Sequence, residues 1–160
     1  MKTLRIYIFV LGTLALGGMA HAGTKTKCDV VRSLKAANVG DSEIRDWLCL
    51  VKHESNFRYD AVNSNSDGSK DYGIYQLNNR YWCDRGNTRY SRCWQINSFG
   101  CGYRCRDFIN SGITWDTDCA VKIKRCNSFN KWYGWIKHCK GRNLNAYSEY
   151  NFRHCLIPGN

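Results

Sequence analysis

Apolar positions recur every three to four residues soon after the N-terminal segment. Val30, Val31, Leu34 and Ala37 follow a capping-box-like Thr26-x-x-Asp29 and stop near Gly40, which predicts a first helix. A second begins at Ser42 and sets Ile44, Trp47, Leu48 and Val51 on one stripe. The same three-residue step carries Glu54 onto the apolar side, where a carboxylate needs a reason. Between Tyr59 and Asn78 helical spacing lapses into Asn, Ser, Asp and Gly. The Asp67-Gly68 turn signal ahead of Tyr72-Gly73-Ile74-Tyr75-Gln76-Leu77 predicts a hairpin or three-stranded sheet.

From Asn79 to Arg104 the chain reads as irregular, rich in Gly, Arg and aromatics, and ordered by cross-links. At Thr114, taken as a capping residue, a third helix opens with Asp116 and Asp118 in its first turn. Trp115, Cys119, Ile123 and Cys126 share one face of it. A shorter aromatic helix over 130–140 contains Trp132, Tyr133 and Trp135 and ends at Gly141. The terminal Leu156-Ile157-Pro158-Gly159-Asn160 reads as an untethered tail.

At the other end, Lys2 and Arg5 precede the apolar run Ile6 to Leu16 and the small-residue end Ala20-His21-Ala22. That is the layout of a secretory signal, 1–22, cut after Ala22, followed by one exported domain, 23–160. Ten cysteines, one proline, 43% hydrophobic and 14% aromatic residues supply a core and argue against disorder. An oxidising compartment turns the ten cysteines into a disulfide framework, though about nine hundred pairings are possible. Cys101-x3-Cys105 and His138-Cys139 leave metal binding as the rival, without the paired Cys-x2-Cys spacing that zinc sites favour. After Ala22 there are 22 basic and 13 acidic residues, a net charge of +9 that favours anionic partners.

Two carboxylates are set apart by their surroundings. Glu54 sits on an apolar stripe at the negative end of a helix dipole, which disfavours ionisation. Asp71 lies among Asn63, Asn65, Ser69, Gln76 and Asn78, whose hydrogen bonds favour the charged form. One protonated acid and one carboxylate are what glycoside hydrolysis uses. The plainer alternative is a surface Glu54 neutralised by Lys52, His53 or Arg58.

The residues around these acids are Lys52-His53-Glu54-Ser55-Asn56-Phe57 and Ser66-Asp67-Gly68-Ser69-Lys70-Asp71-Tyr72-Gly73-Ile74-Tyr75-Gln76-Leu77-Asn78. They resemble chicken-type (c-type) lysozymes, with an insect-like character in Asn130-Lys131-Trp132-Tyr133-Gly134-Trp135. The resemblance runs from Cys28 to Cys155. It implies an α+β, disulfide-rich fold of a helical lobe and a small antiparallel β lobe, with a sugar-binding cleft between them. Glu54 matches the family's general acid and Asp71 its second carboxylate, in the family that is the type case of the retaining two-carboxylate mechanism. Trp132 matches the tryptophan beside the acid. Asn63, Asn65, Gln76, Asn78, Tyr81 and Trp82 match sugar-contacting positions, Tyr81 standing where a larger tryptophan is common.

The resemblance also implies the bridges Cys28–Cys155, Cys49–Cys139, Cys83–Cys105 and Cys101–Cys119. Cys93 and Cys126 remain, and a fifth bridge between them is expected to tie the β-lobe loop to the helical lobe and narrow or close distal sugar subsites. Only Asp107 follows Cys105 before Asp116 and Asp118, so no bound Ca²⁺ is expected. The implied activity is a secreted, cofactor-free, antibacterial or digestive hydrolase acting on bacterial peptidoglycan or chitin-like oligosaccharide. It is expected to be monomeric, without a nucleic-acid partner or membrane insertion. The alternatives are an inactive relative that binds carbohydrate or protein, and killing by cationic membrane disruption.

Overall fold

Thr26 opens α1 (Lys27–Ala36) with a reciprocal cap: its hydroxyl accepts from the Asp29 N–H at 3.1 Å, and Asp29 Oδ2 accepts from the Thr26 N–H at 2.9 Å. The computed structural model describes residues 23–157. The expected signal segment 1–22 and the end of the expected tail, Pro158 to Asn160, lie outside the described residues. Helix α2 (Asp41–Ser55) starts after Gly40 without a side-chain cap, helped by Asp41 and Glu43 at the positive end of its dipole. It ends where Asn56 turns left-handed at φ 51°.

The β lobe is a three-stranded antiparallel sheet in the order β1 (Val62–Ser64), β2 (Lys70–Tyr72), β3 (Leu77–Asn78). Its register sets Asp71 between Asn63 on one neighbour and Asn78 on the other. Helices α3 (Cys93–Phe99), α4 (Thr114–Asn127) and α5 (Tyr133–His138) follow. Trp47 of α2 is fully buried at the centre and meets Tyr75, Phe129 and Trp132 edge-on at 5.7, 4.8 and 5.8 Å. Each such aromatic pair adds about 0.5–1.5 kcal/mol beyond burial.

The structure departs from the helical reading in four places. The stretch from Asn79 to Arg104 contains α3, seven residues with one buried apolar side chain, Ile96, too short for a periodic signal. Helix α4 is preceded by Ile113, and Thr114 is its first residue; no side chain caps it. Trp115 leaves the buried face of α4: it is 42% exposed and stacks on Tyr103 at 5.8 Å, with Arg89 over both rings. Asp116 takes the inward position instead, fully buried. The aromatic helix shortens to α5, because 129–131 forms a tight 3-10 turn and Trp132 is extended.

Five disulfides cross-link the chain: Cys28–Cys155, Cys49–Cys139, Cys83–Cys105, Cys101–Cys119 and Cys93–Cys126. Cys101, Cys105 and Cys139, weighed above as metal ligands, are thereby half-cystines with no thiolate to offer. No helix among the described residues is long and apolar enough to cross a membrane.

Candidate active site

The last turn of α2 is fastened to the chain between β2 and β3. Buried Ser55 donates its hydroxyl to the Ile74 carbonyl at 2.8 Å, and one residue on, the Tyr75 carbonyl accepts from the Trp132 indole N–H at 2.8 Å. Two consecutive carbonyls thus lock the β lobe onto both α2 and the segment before α5. Glu54, next to Ser55, is thereby fixed at the edge of a cleft of about 670 Å³. That volume suits a small-molecule or oligosaccharide ligand.

Glu54 Oε1 accepts the backbone N–H of Gly134 at 2.8 Å. Burial pushes its pKa up from 4.5 to about 7; the Gly134 hydrogen bond opposes the rise and the charge of Asp71 adds to it. Glu54 therefore holds a proton near neutrality, although the Gly134 N–H shows how its ionised form is also accommodated.

Asp71 is built differently. Asn65 Nδ2 donates to its Oδ2 at 2.9 Å and Asn78 Nδ2 to its Oδ1 at 2.8 Å. Both amides also donate to Ser69 Oγ, at 3.1 and 2.9 Å, while the Ser69 hydroxyl donates to Asp67 at 2.7 Å. Asp71 is thus held from two sides by amides that are themselves held. The arrangement pairs a desolvated, proton-bearing carboxyl with a second carboxyl held by two amide donors, and a glycosidic bond is cleaved by a carboxyl pair in unlike surroundings.

The cleft is lined by Glu54 and Asp71 together with Asn65, Gln76, Asn78, Tyr81, Trp82 and Trp132. Asn63 stands one step back, donating to Gln76 Oε1 at 2.7 Å. Tyr81 is half exposed, its ring 6.1 Å from that of Trp82, so the two present aromatic faces at the rim. Buried Trp132 offers ring surface and spends its N–H on Tyr75.

Several lining residues are not among the expected sugar contacts: Ser66, Asp67, Asn97, Asn127, Lys131 and Tyr133. Gly134, which contacts Glu54 without lining the cleft, is a further one. A Cβ at this glycine would stand 2.7 Å from Glu54 Oε1, a close approach that a lone glycine between Tyr133 and Trp135 could have signalled. Asn97 lies one turn beyond Cys93 and Asn127 next to Cys126, so the two extra cysteines mark them.

The model of the C-type lysozyme/alpha-lactalbumin family matches residues 23–150. Lysozyme c-1 of Anopheles gambiae is 39% identical over 135 residues, 84% of this chain and 90% of the relative. A Bombyx mori lysozyme is 37% identical over 137 residues, 86% and 93% of the two chains, and the putative lysozyme C-2 of Rattus norvegicus 35% identical over 145 residues, 88% and 94%. With matches of this length and identity, the chain belongs to the C-type lysozyme/alpha-lactalbumin family.

Proposed function

We propose that the protein cleaves the β-1,4 bond between N-acetylmuramic acid and N-acetylglucosamine in bacterial peptidoglycan, with retention of configuration. A lysozyme-type glycoside hydrolase is the function that the family and its lysozyme relatives support. The observation that carries the finer reading is the contrast between the two carboxyl groups of one cleft. Glu54 is pushed up to about 7 by burial, and Asp71 is held by Asn65 and Asn78.

Protonated Glu54 donates to the departing glycosidic oxygen as the bond lengthens. The Asp71 carboxylate meets the positive charge growing at the anomeric carbon and captures it as a glycosyl ester. Glu54, now ionised and steadied by the Gly134 N–H, takes a proton from water as that water opens the ester and regenerates both groups. Amide groups of Gln76 and Asn78 and the rings of Tyr81, Trp82 and Trp132 suit pyranoses bearing acetamido groups. No step calls for a cofactor.

The reading extends to setting: an exported monomer whose positive charge draws it to anionic cell walls, in antibacterial defence. Turbidity clearing of bacterial wall suspensions tests the chemistry. Glu54→Gln is expected to lower the rate about 10²–10⁴-fold with the fold intact. Equal clearing by wild type and Glu54→Gln would replace the enzyme with a cationic disruptor. Proton NMR of the first product anomer tests retention, an initial α anomer being the contrary result.

A further inference from the structure

Two residues that line the cleft from different lobes are joined to each other. Asn97, on α3 in the long β-lobe loop, and Asn127, at the end of α4, both line the cleft. Asn127 Nδ2 donates to Asn97 Oδ1 at 2.8 Å, so the two lining side chains touch each other. One helical turn before Asn97 and one residue before Asn127, Cys93 and Cys126 form a disulfide with their Cα atoms 5.2 Å apart. Helix α3 also packs along α4, and its Ile96 is fully buried. The hydrogen bond and the disulfide thus join the long loop to the end of α4 beside the cleft.

A pyranose ring cannot pass where two amide groups are in contact, backed by a covalent bridge between backbones this close. Elsewhere in the lining, Ser66 and Asp67 in the β1–β2 turn are exposed, and Tyr133 is 74% exposed. A groove bridged beside α4 in this way would be blind on that side instead of a trough open at both ends.

We propose that the Asn97–Asn127 contact and the Cys93–Cys126 bridge make this a chain-end site. The groove takes the terminus of an N-acetylhexosamine chain or a short oligosaccharide, and does not seat an internal stretch of a continuous strand. This rests on the sugar-cleft reading above and adds the substrate form to it. The two asparagines meet at that side of the groove and exclude the next sugar. They are the specificity-determining pair.

The test is calorimetric binding of N-acetylglucosamine hexamers to Glu54→Gln protein, in three forms: both ends free, the nonreducing end capped by a bulky group, and the reducing end capped by the same group. The expected result is that one cap, and only one, weakens binding about tenfold or more. Adding Cys93→Ser, Cys126→Ser and Asn127→Ala is expected to restore binding of the capped form. Where that variant fails to fold, Asn97→Ala with the bridge intact takes its place, with a partial recovery expected. Binding indifferent to both caps, or equally sensitive to both, overturns the chain-end site alone. No binding of any hexamer, together with no lysis by wild type, overturns the hydrolase reading and this inference with it.

Discussion

Gly134 gives its N–H to Glu54 Oε1 at 2.8 Å, and the absence of a side chain on Gly134 is what lets α5 come so near the acid. A methyl group there would stand 2.7 Å from that oxygen, 3.2 Å from the carboxyl carbon and 3.3 Å from the His53 carbonyl carbon. Gly134→Ala must therefore push the Glu54 carboxyl or the first turn of α5 aside. Displacements of this order cost up to about 10²-fold in rate, so kcat should fall about 10- to 100-fold. Far-UV circular dichroism should stay unchanged, since Gly134 sits near the start of a short helix. A kcat within twofold of wild type would show that the contact is incidental.

On the proposed mechanism, the ionisation of Glu54 is expected to set the alkaline limb of activity. Its pKa is raised by burial first, and the Asp71 charge adds to the rise. The acid form is populated below about pH 7, so activity should decline about tenfold per pH unit well above that point. Asp71→Asn removes a negative neighbour and should move the Glu54 titration downward. Carbon-detected NMR of the Glu54 carboxyl measures the shift directly. A titration that stays in place would assign the rise to burial alone.

Legibility in the sequence followed the range of the interactions concerned. Thr26 and Asp29, three residues apart, show their reciprocal cap in the sequence, and so does the stripe from Ile44 to Val51 that carries Glu54. The polar setting of Asp71 is legible because its partners, Asn65 just past β1 and Asn78 in β3, lie close to it along one meander. The Gly134 contact spans 80 positions and the Asn97–Asn127 contact 30, so only a lone glycine and the two extra cysteines hint at them. Trp115 misled for a related reason. Its spacing marks it for the core, yet Tyr103 and Arg89 from the long loop give its ring a place outside.

Asp116 makes a prediction about stability. It is fully buried in the first turn of α4, and neither carboxylate oxygen has a hydrogen-bond partner among the described residues. Burial raises its pKa from 3.8 to about 8, so the folded protein carries it as a neutral acid. Below pH 3.8 the unfolded chain is protonated there too, and no penalty arises. As pH rises from about 4 to 8 the unfolded chain gains by ionising while the folded chain does not, so stability declines across that window, by several kcal/mol from this group. Glu54 acts with the same sign between about 4.5 and 7. Urea unfolding at pH 4 and pH 8 should show a smaller decline in Asp116→Asn than in wild type. Equal declines would mean that the carboxyl finds water or a cation on ionising.

Trp132 is expected to couple the stability of the lobe junction to the ionisation of Glu54. Its indole N–H is the donor to the Tyr75 carbonyl at 2.8 Å, Tyr75 is fully buried, and Trp132 shares the cleft with Glu54. Trp132→Phe deletes that donor and leaves a buried carbonyl unpaired, which costs about 1–3 kcal/mol. For a domain of this size the melting temperature should drop by about 3–10 °C. The smaller ring also excludes less water from Glu54, so its pKa should fall back toward 4.5 and the alkaline limb of activity should move to lower pH. The two effects separate in one variant: thermal melting reads the hydrogen bond, and the pH profile of kcat/KM reads the desolvation. A lower melting temperature with the alkaline limb unmoved would confine Trp132 to holding the lobes together and assign the raised pKa of Glu54 to other walls of the cleft.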